Sequence, residues 1–227
     1  MATALTLTTT PTSILSTPPA PPSAAAIIAR AGGDALPSYI TAEQARAVID
    51  AAETTQHRRL LECLWQSGGR VSEVLRLRRC DVDPAEGALV LENLKQRRRE
   101  RRRKLVYVSS SLVAALLAYC RDARLNPTAP LFFSRQSGGA PMARQHAWRL
   151  VTRYAQAAGV RVVGRDGELR PATGLDFRHG AAVHQLRCGV PLSEVSQQLG
   201  HARIDTTTVY TRLTNAERRR YADRVAW

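Results

Sequence analysis

Residues 95–104, KQRRRERRRK, carry eight basic side chains in ten, and no packed interior accepts like charge at that density without partners. The run has to lie at the surface. On either side stand short segments, GALVLENL and KLVYVSS, whose β-branched, aliphatic and aromatic residues cluster or alternate as in strands. A run of this kind repels itself as an isolated helix. The chain is therefore expected to double back through it as the tip of an antiparallel hairpin, held open until an anion neutralises it. The plainer reading of the same run is a solvated loop.

The imbalance extends to the whole chain. Its 227 residues include 33 Lys and Arg against 19 Asp and Glu, a formal charge of +14, which predicts a polyanionic partner, with nucleic acid first. A membrane surface is the competing polyanion, but the basic run has no apolar helix face to insert, so membrane binding is not expected. No stretch of about 18 apolar residues is present to span a bilayer. The 44% hydrophobic content suffices for a packed core. Cys63, Cys80, Cys120 and Cys188 are widely spaced and form no metal-type or redox-type pair, as in a reducing compartment.

Residues 1–38 are rich in Thr, Pro, Ala and Ser and read as a disordered arm. From Ile40 the pattern turns helical. Thr41 and Gln44 resemble a capping box, and Ala45, Val48, Ile49 and Ala52 form a stripe at helical spacing. A second helix is expected around Leu60, Leu61 and Leu64, interrupted by SGGR, and a third over VSEVLRLRRCDV. Beyond the hairpin come a helix opened by Ser109 or Ser110, an edge strand or buried connector PLFFS, and a long amphipathic helix ending at Gly159. Four helical segments follow: FRHGAAVHQLRCG, PLSEVSQQLG, DTTTVYTRL and NAERRRYADRVA. The expected fold is mainly α with one small antiparallel β-sheet (α+β).

Several polar residues stand where these segments begin or end. Arg70 follows the double glycine, with Glu73 one helical turn later; Arg178 opens a helix; His201 follows Gly200; Lys95 lies where the hairpin's first strand meets the basic run. Tyr210 lies nine residues beyond His201. It can be read as half-covered beside Val209 and Leu213 on a short amphipathic helix. Set beside the cations it has a second reading, because two arginines, a lysine, a histidine and a tyrosine suit attack on a phosphodiester. Guanidiniums grip the non-bridging oxygens and stabilise the pentacoordinate state. A phenol supplies the nucleophile and a lysine protonates the leaving oxygen. No Asp/Glu cluster with metal-ligand spacing accompanies them, and no GxxxxGKS loop, so neither a metal nor a nucleotide cofactor is expected.

YITAEQARAVIDAA, SGGRVSEVLRLRRCDVD, PLFFS and LDFRHGAAVHQLRCGVPLSEVSQQLGHARIDTTTVYTRL occur in the order and spacing of the tyrosine recombinases, the phage integrase family, over residues 39–213. The chain resembles the catalytic domain of that family, with residues 39–227 as the domain. The resemblance implies Arg70 and Arg178 as catalytic arginines, Glu73 as an orienting carboxylate, His201 as the histidine of the LGH motif and Tyr210 as the nucleophile. The family lysine sits at the entry to the hairpin turn, a place that Lys95 matches better than Lys104. Arg97, Arg98, Arg99, Arg101, Arg102 and Arg103 are then the phosphate-binding side chains. The implied partner is double-stranded DNA, held by a homotetramer of a chain that is monomeric in free solution, with an accessory DNA-binding protein. The implied compartment is the bacterial cytoplasm, at the nucleoid. The segment after the tyrosine is expected to pack on a neighbouring protomer.

The chain departs from the family pattern twice. Leu175 stands three residues before Arg178, where the family usually has a histidine, and leucine moves no proton. A Pro/Thr/Ala-rich arm stands where family members usually carry an N-terminal helical DNA-binding domain. The alternative reading is a DNA-binding protein without catalysis, with PLSEVSQQLGHARIDTTTVY as a helix-turn-helix and an active site decayed at Leu175.

Overall fold

A computed structural model describes residues 37–93, 102–134, 137–164 and 166–200, with only the backbone at Asn93 and Arg102. The arm over residues 1–36, Lys95, most of the basic run, and His201, Tyr210 and the C-terminal segment lie outside the described residues. Ser38, the last residue of the arm as read from sequence, hydrogen-bonds Asp176 at 2.5 Å, so it belongs with the domain.

Helix α1 (Ala42–Asp50) starts at the expected capping box. Gln44 N–H donates to Thr41 Oγ1 at 3.3 Å and Thr41 N–H donates to Gln44 Oε1 at 2.9 Å, two donors that the first helical turn would otherwise leave unpaired. Helix α2 (Thr55–Ser67) buries Leu60, Leu61, Cys63 and Leu64. It stops at Gly68, whose φ of 58° is left-handed; a Cβ there would also lie 2.8 Å from Leu199 Cδ2. Conformation and space both select glycine at this turn.

The long third helix expected from VSEVLRLRRCDV does not form. Helix α3 (Val71–Val74) is a single turn, followed by a 3-10 turn (Arg79–Asp81) and the short strand β1 (Val82–Asp83). Tertiary hydrogen bonds compete with the helix. Leu77 C=O accepts from Leu131 N–H at 2.8 Å, and Arg79 and Cys80 N–H donate to the carbonyls of Ala129 and Pro127. PLFFS is accordingly a buried connector, with Leu131 and Phe132 fully enclosed, rather than an edge strand.

Strands β2 (Ala88–Asn93) and β3 (Arg102–Tyr107) make the expected antiparallel pair and, with β1, a three-stranded sheet in the order β1-β2-β3. The returning strand starts at Arg102, inside what was read as the basic tip. Glu92 pairs opposite Arg103 there, and opposite charges across a ladder are mutually favourable. Leu89 opposite Val106 supplies the buried face.

Helix α4 (Ser110–Asp122) is capped by Ser109, and α5 (Arg144–Ala157) runs out just before Gly159. A second, two-stranded sheet, β4 (Arg161–Val163) with β5 (Leu169–Pro171), was not expected. Three-residue strands carry too little alternation to be read from sequence. Helices α6 (Gly174–Arg187) and α7 (Leu192–Leu199) complete the described chain. The architecture is thus mainly helical with small antiparallel sheets. Among the described residues no helix is long and apolar enough to cross a membrane.

Candidate active site

Four charged side chains from three elements, the start of α3, α6 and β3, converge beside the Gly68–Gly69 turn. Glu73, 1% exposed, faces two of them, Arg70 and Lys104. Its position in the first turn of α3 lets Oε2 accept the Arg70 backbone N–H at 3.1 Å, while Oε1 takes the Arg70 guanidinium at 2.6 Å. The carboxylate therefore fixes both the backbone and the side chain of Arg70. The Arg70 side chain remains 27% exposed, so part of the guanidinium faces solvent, where a ligand anion can reach it.

Arg178 lies in the second turn of α6, rather than opening it, and is 5% exposed. Its Nη1 donates to Gly68 C=O and its Nη2 to Leu199 C=O, both at 2.9 Å. A contact spanning 110 residues thus places the second arginine against the turn that presents the first. The start of α6, two residues before Arg178, is anchored by Asp176, which is fully buried and takes five hydrogen bonds. Arg170 donates to both oxygens at 2.7 and 3.0 Å, Ser38 to Oδ1, and Thr173 through its N–H and hydroxyl to Oδ2 at 2.8 and 2.7 Å. Burial alone would raise the Asp176 pKa, but the Arg170, Ser38 and Thr173 hydrogen bonds outweigh it and hold it below the usual aspartate value. Asp176 was not singled out from sequence. Its signal was Thr173-x-x-Asp176, a capping-box spacing immediately before an apolar run.

The fourth member is Lys104 on β3. Its Nζ donates to Gln198 C=O at 2.7 Å and lies 3.6 Å from Glu73 Oε2, with only 15% of the side chain exposed. Burial lowers its pKa to about 8, with the Arg178 and Arg70 charges acting in the same direction and Glu73 opposing them. Sequence reasoning preferred Lys95, which lies outside the described residues. The lysine that the described structure brings to the arginines is Lys104. No local pattern marks it, because it enters the cluster through strand pairing and contacts with α3 and α7.

Of the six hairpin arginines, Arg97, Arg98, Arg99 and Arg101 lie outside the described residues, as do the side chain of Arg102, His201 and Tyr210. Arg103 ion-pairs with buried Asp81 and is 52% exposed. Part of its charge therefore serves the domain itself. Leu175 is 57% exposed at the start of α6, so packing does not account for an apolar side chain there. A groove of about 710 Å³ lies nearby, lined by Arg46, Trp65, Tyr107 and His184 among others, but none of the four clustered charges lines it. Of the four, Arg70 is the most exposed, at 27% of its side chain, and Glu73 and Arg178 are buried. Among the described residues no group of His, Cys, Asp and Glu is placed to hold a metal ion.

This arrangement can do one kind of chemistry well. Two guanidiniums from different elements, oriented by a buried carboxylate and by backbone carbonyls, are preorganised to meet a tetrahedral anion. Helix α7 is capped at its C-terminal end by Gly200, which is left-handed at φ 69° and is the residue before His201 in the sequence.

Comparison with known proteins gives the family and the fold. The chain is 29% identical over 194 residues to tyrosine recombinase XerC of Roseiflexus sp. (strain RS-1), covering 80% of this chain and 57% of the relative. It is 33% identical over 205 residues to XerD of Ralstonia nicotianae, covering 88% and 60%. The chain therefore spans less than two thirds of these relatives' own length. The crystal structure of XerA recombinase superposes with a TM-score of 0.68 at 26% identity, over 85% of this chain and 66% of that one. XerH bound to a difH substrate, in a post-cleavage complex, shares the fold with a TM-score of 0.66 at 19% identity, over 84% of this chain and 55% of that one. The family model for phage integrases matches residues 38–217, a span running from Ser38 through both arginines to beyond Tyr210, and the chain accordingly belongs to the phage integrase family.

Proposed function

We propose that this chain cleaves and rejoins DNA strands in site-specific recombination through a 3′-phosphotyrosyl intermediate. The observation that carries the reading is the convergence of Arg70 and Arg178 on one turn, Arg70 held by the buried Glu73 and Arg178 by the Gly68 carbonyl. The fold brings two arginines 108 positions apart in sequence to one turn, and relatives bearing the name tyrosine recombinase span most of the chain.

In this mechanism the two guanidiniums hold the non-bridging oxygens of the scissile phosphate. The phenol oxygen of Tyr210 attacks phosphorus, the bond to the 5′ oxygen breaks, and that oxygen takes a proton from a hairpin lysine, the role assigned to Lys95. His201, following directly on the end of α7, assists proton movement at the phosphate. A 5′ hydroxyl from the partner strand then attacks the phosphotyrosine and releases the phenol. One ester replaces another at each step, so no nucleotide is consumed. Strand exchange between two duplexes calls for four active sites, hence a tetramer of this chain on DNA. The arginines of the basic run contribute phosphate contacts that position the duplex without reading its sequence, and an accessory protein would supply specificity.

Incubation with a duplex nicked near the crossover point, followed by denaturing electrophoresis, tests this. A covalent protein–DNA band is expected for the wild type and none for Tyr210→Phe, with DNA affinity retained. Equal trapping by the Phe variant rejects Tyr210 as nucleophile. The exposed Leu175 favours a second reading, DNA binding without cleavage, which predicts no covalent band at all.

A further inference from the structure

The mechanism leaves the buried ammonium of Lys104 unused, yet its contacts join segments distant in sequence. Gln198 and Leu199 end α7, and their carbonyls are among the four that a helix C-terminus leaves without an internal partner. Lys104 takes the first at 2.7 Å and Arg178 the second at 2.9 Å, so two cations meet the negative end of the helix dipole. Gln198 also donates its side-chain amide to Gln66 C=O at 3.1 Å, adding the end of α2. The same Lys104 Nζ faces Glu73, which orients Arg70.

We propose that Lys104 is a positioning residue for strand cleavage: it fastens the C-terminal end of α7, from which the segment bearing His201 and Tyr210 departs, to the carboxylate that sets Arg70. This rests on the recombinase reading above and goes beyond it, because Lys104 neither donates the leaving-group proton nor grips the phosphate. A neutral donor could satisfy the Gln198 carbonyl. Only a cation also answers Glu73, and lysine's compact charge on a flexible stem reaches both from a strand.

The groups facing the ammonium are Glu73 on α3, Arg70 at that helix's start, Arg178 on α6 and the Gln198 carbonyl on α7. Its partner on β2 is Leu91, which does not titrate. On its own strand Arg103 is directed to Asp81. With a pKa lowered to about 8, chiefly by burial, the ammonium loses its proton within the working range of a cleavage assay.

The test uses the full chain and the nicked duplex, with single-turnover rates of covalent-complex formation measured on both sides of that pH. Lys104→Met is expected to slow cleavage on the order of tenfold to a hundredfold, the range for displaced reacting groups, while duplex affinity changes little. Lys104→Arg stays charged, so the ratio of its rate to that of the wild type should rise as pH passes about 8. Hydrogen exchange without DNA supplies a readout independent of catalysis: the α7 amides should exchange faster in Lys104→Met and near the wild-type rate in Lys104→Arg. The proposal is overturned if Lys104→Met cleaves and exchanges like the wild type, or if Lys104→Arg shows the wild-type pH profile. It is also overturned if a substrate with a better leaving atom in place of the 5′ oxygen restores the Met variant, since that result would make Lys104 the proton donor. A wild type that forms no covalent complex rejects the recombinase reading instead, and the exchange comparison then still decides whether Lys104 holds the end of α7.

Discussion

Replacing Asp176 by Asn keeps the shape of the side chain and removes only its charge, which isolates what the carboxylate does at the start of α6. All five hydrogen bonds it accepts come from donors: two from Arg170, two from Thr173 and one from Ser38. In Asn one oxygen becomes an NH₂ group, so a donor is forced against donors and the Arg170 charge loses its counter-ion. Breaking a buried ion pair by removing one partner costs about 3–5 kcal/mol. The Arg170 side chain is 39% exposed and can regain water, which reduces the expected cost to roughly 2–4 kcal/mol. At roughly 2–4 °C per kcal/mol for a domain of this size, the melting temperature should fall by about 10 °C. The pH dependence gives an independent check. The folded pKa of Asp176 lies below its ordinary value, so its contribution is present above the unfolded pKa of about 3.9 and lost as pH falls through the folded value. Urea unfolding across acid pH should therefore show a wild-type slope that Asp176→Asn flattens. A double-mutant cycle with Arg170→Gln should show strong coupling. A melting temperature within about 2 °C of wild type, with an unchanged acid slope, would refute the assignment.

Arg178→Lys retains the charge but cannot donate in a planar fork to Gly68 and Leu199 at once, so cleavage on the nicked duplex should be nearly abolished; near-normal cleavage would remove Arg178 from the phosphate site. Deleting residues 97–101, which leaves β3 whole, should weaken binding to all duplexes alike and flatten the plot of log affinity against log salt by nearly one unit of slope for each phosphate no longer neutralised. An unchanged slope in a fluorescence-anisotropy titration would show that the run touches no phosphate.

Local signals sufficed where a segment's structure depends on its neighbours in the chain. The capping box at Thr41, the apolar stripe of α2, the glycine stops at Gly68 and Gly200 and the pairing of the strands on either side of the basic run were all legible, because helix starts, helix stops and amphipathic periods involve residues within a few positions of one another. Arg70, Glu73 and Arg178 could be picked out for the same reason: each stands near a segment end. What the sequence could not determine is set by contacts across long chain separations. The helix read over residues 71–82 yields after one turn because the connector at residues 127–131 offers its backbone better partners. Asp176 becomes the anchor of the start of α6 only once Arg170 and Ser38 are folded onto it. Lys104 joins the cluster because strand register puts it opposite Leu91, with its stem directed at α3 and α7. A lysine's charge is spelled out in the sequence, but its burial, its lowered pKa and its neighbours arise only when distant segments pack together and exclude water around it.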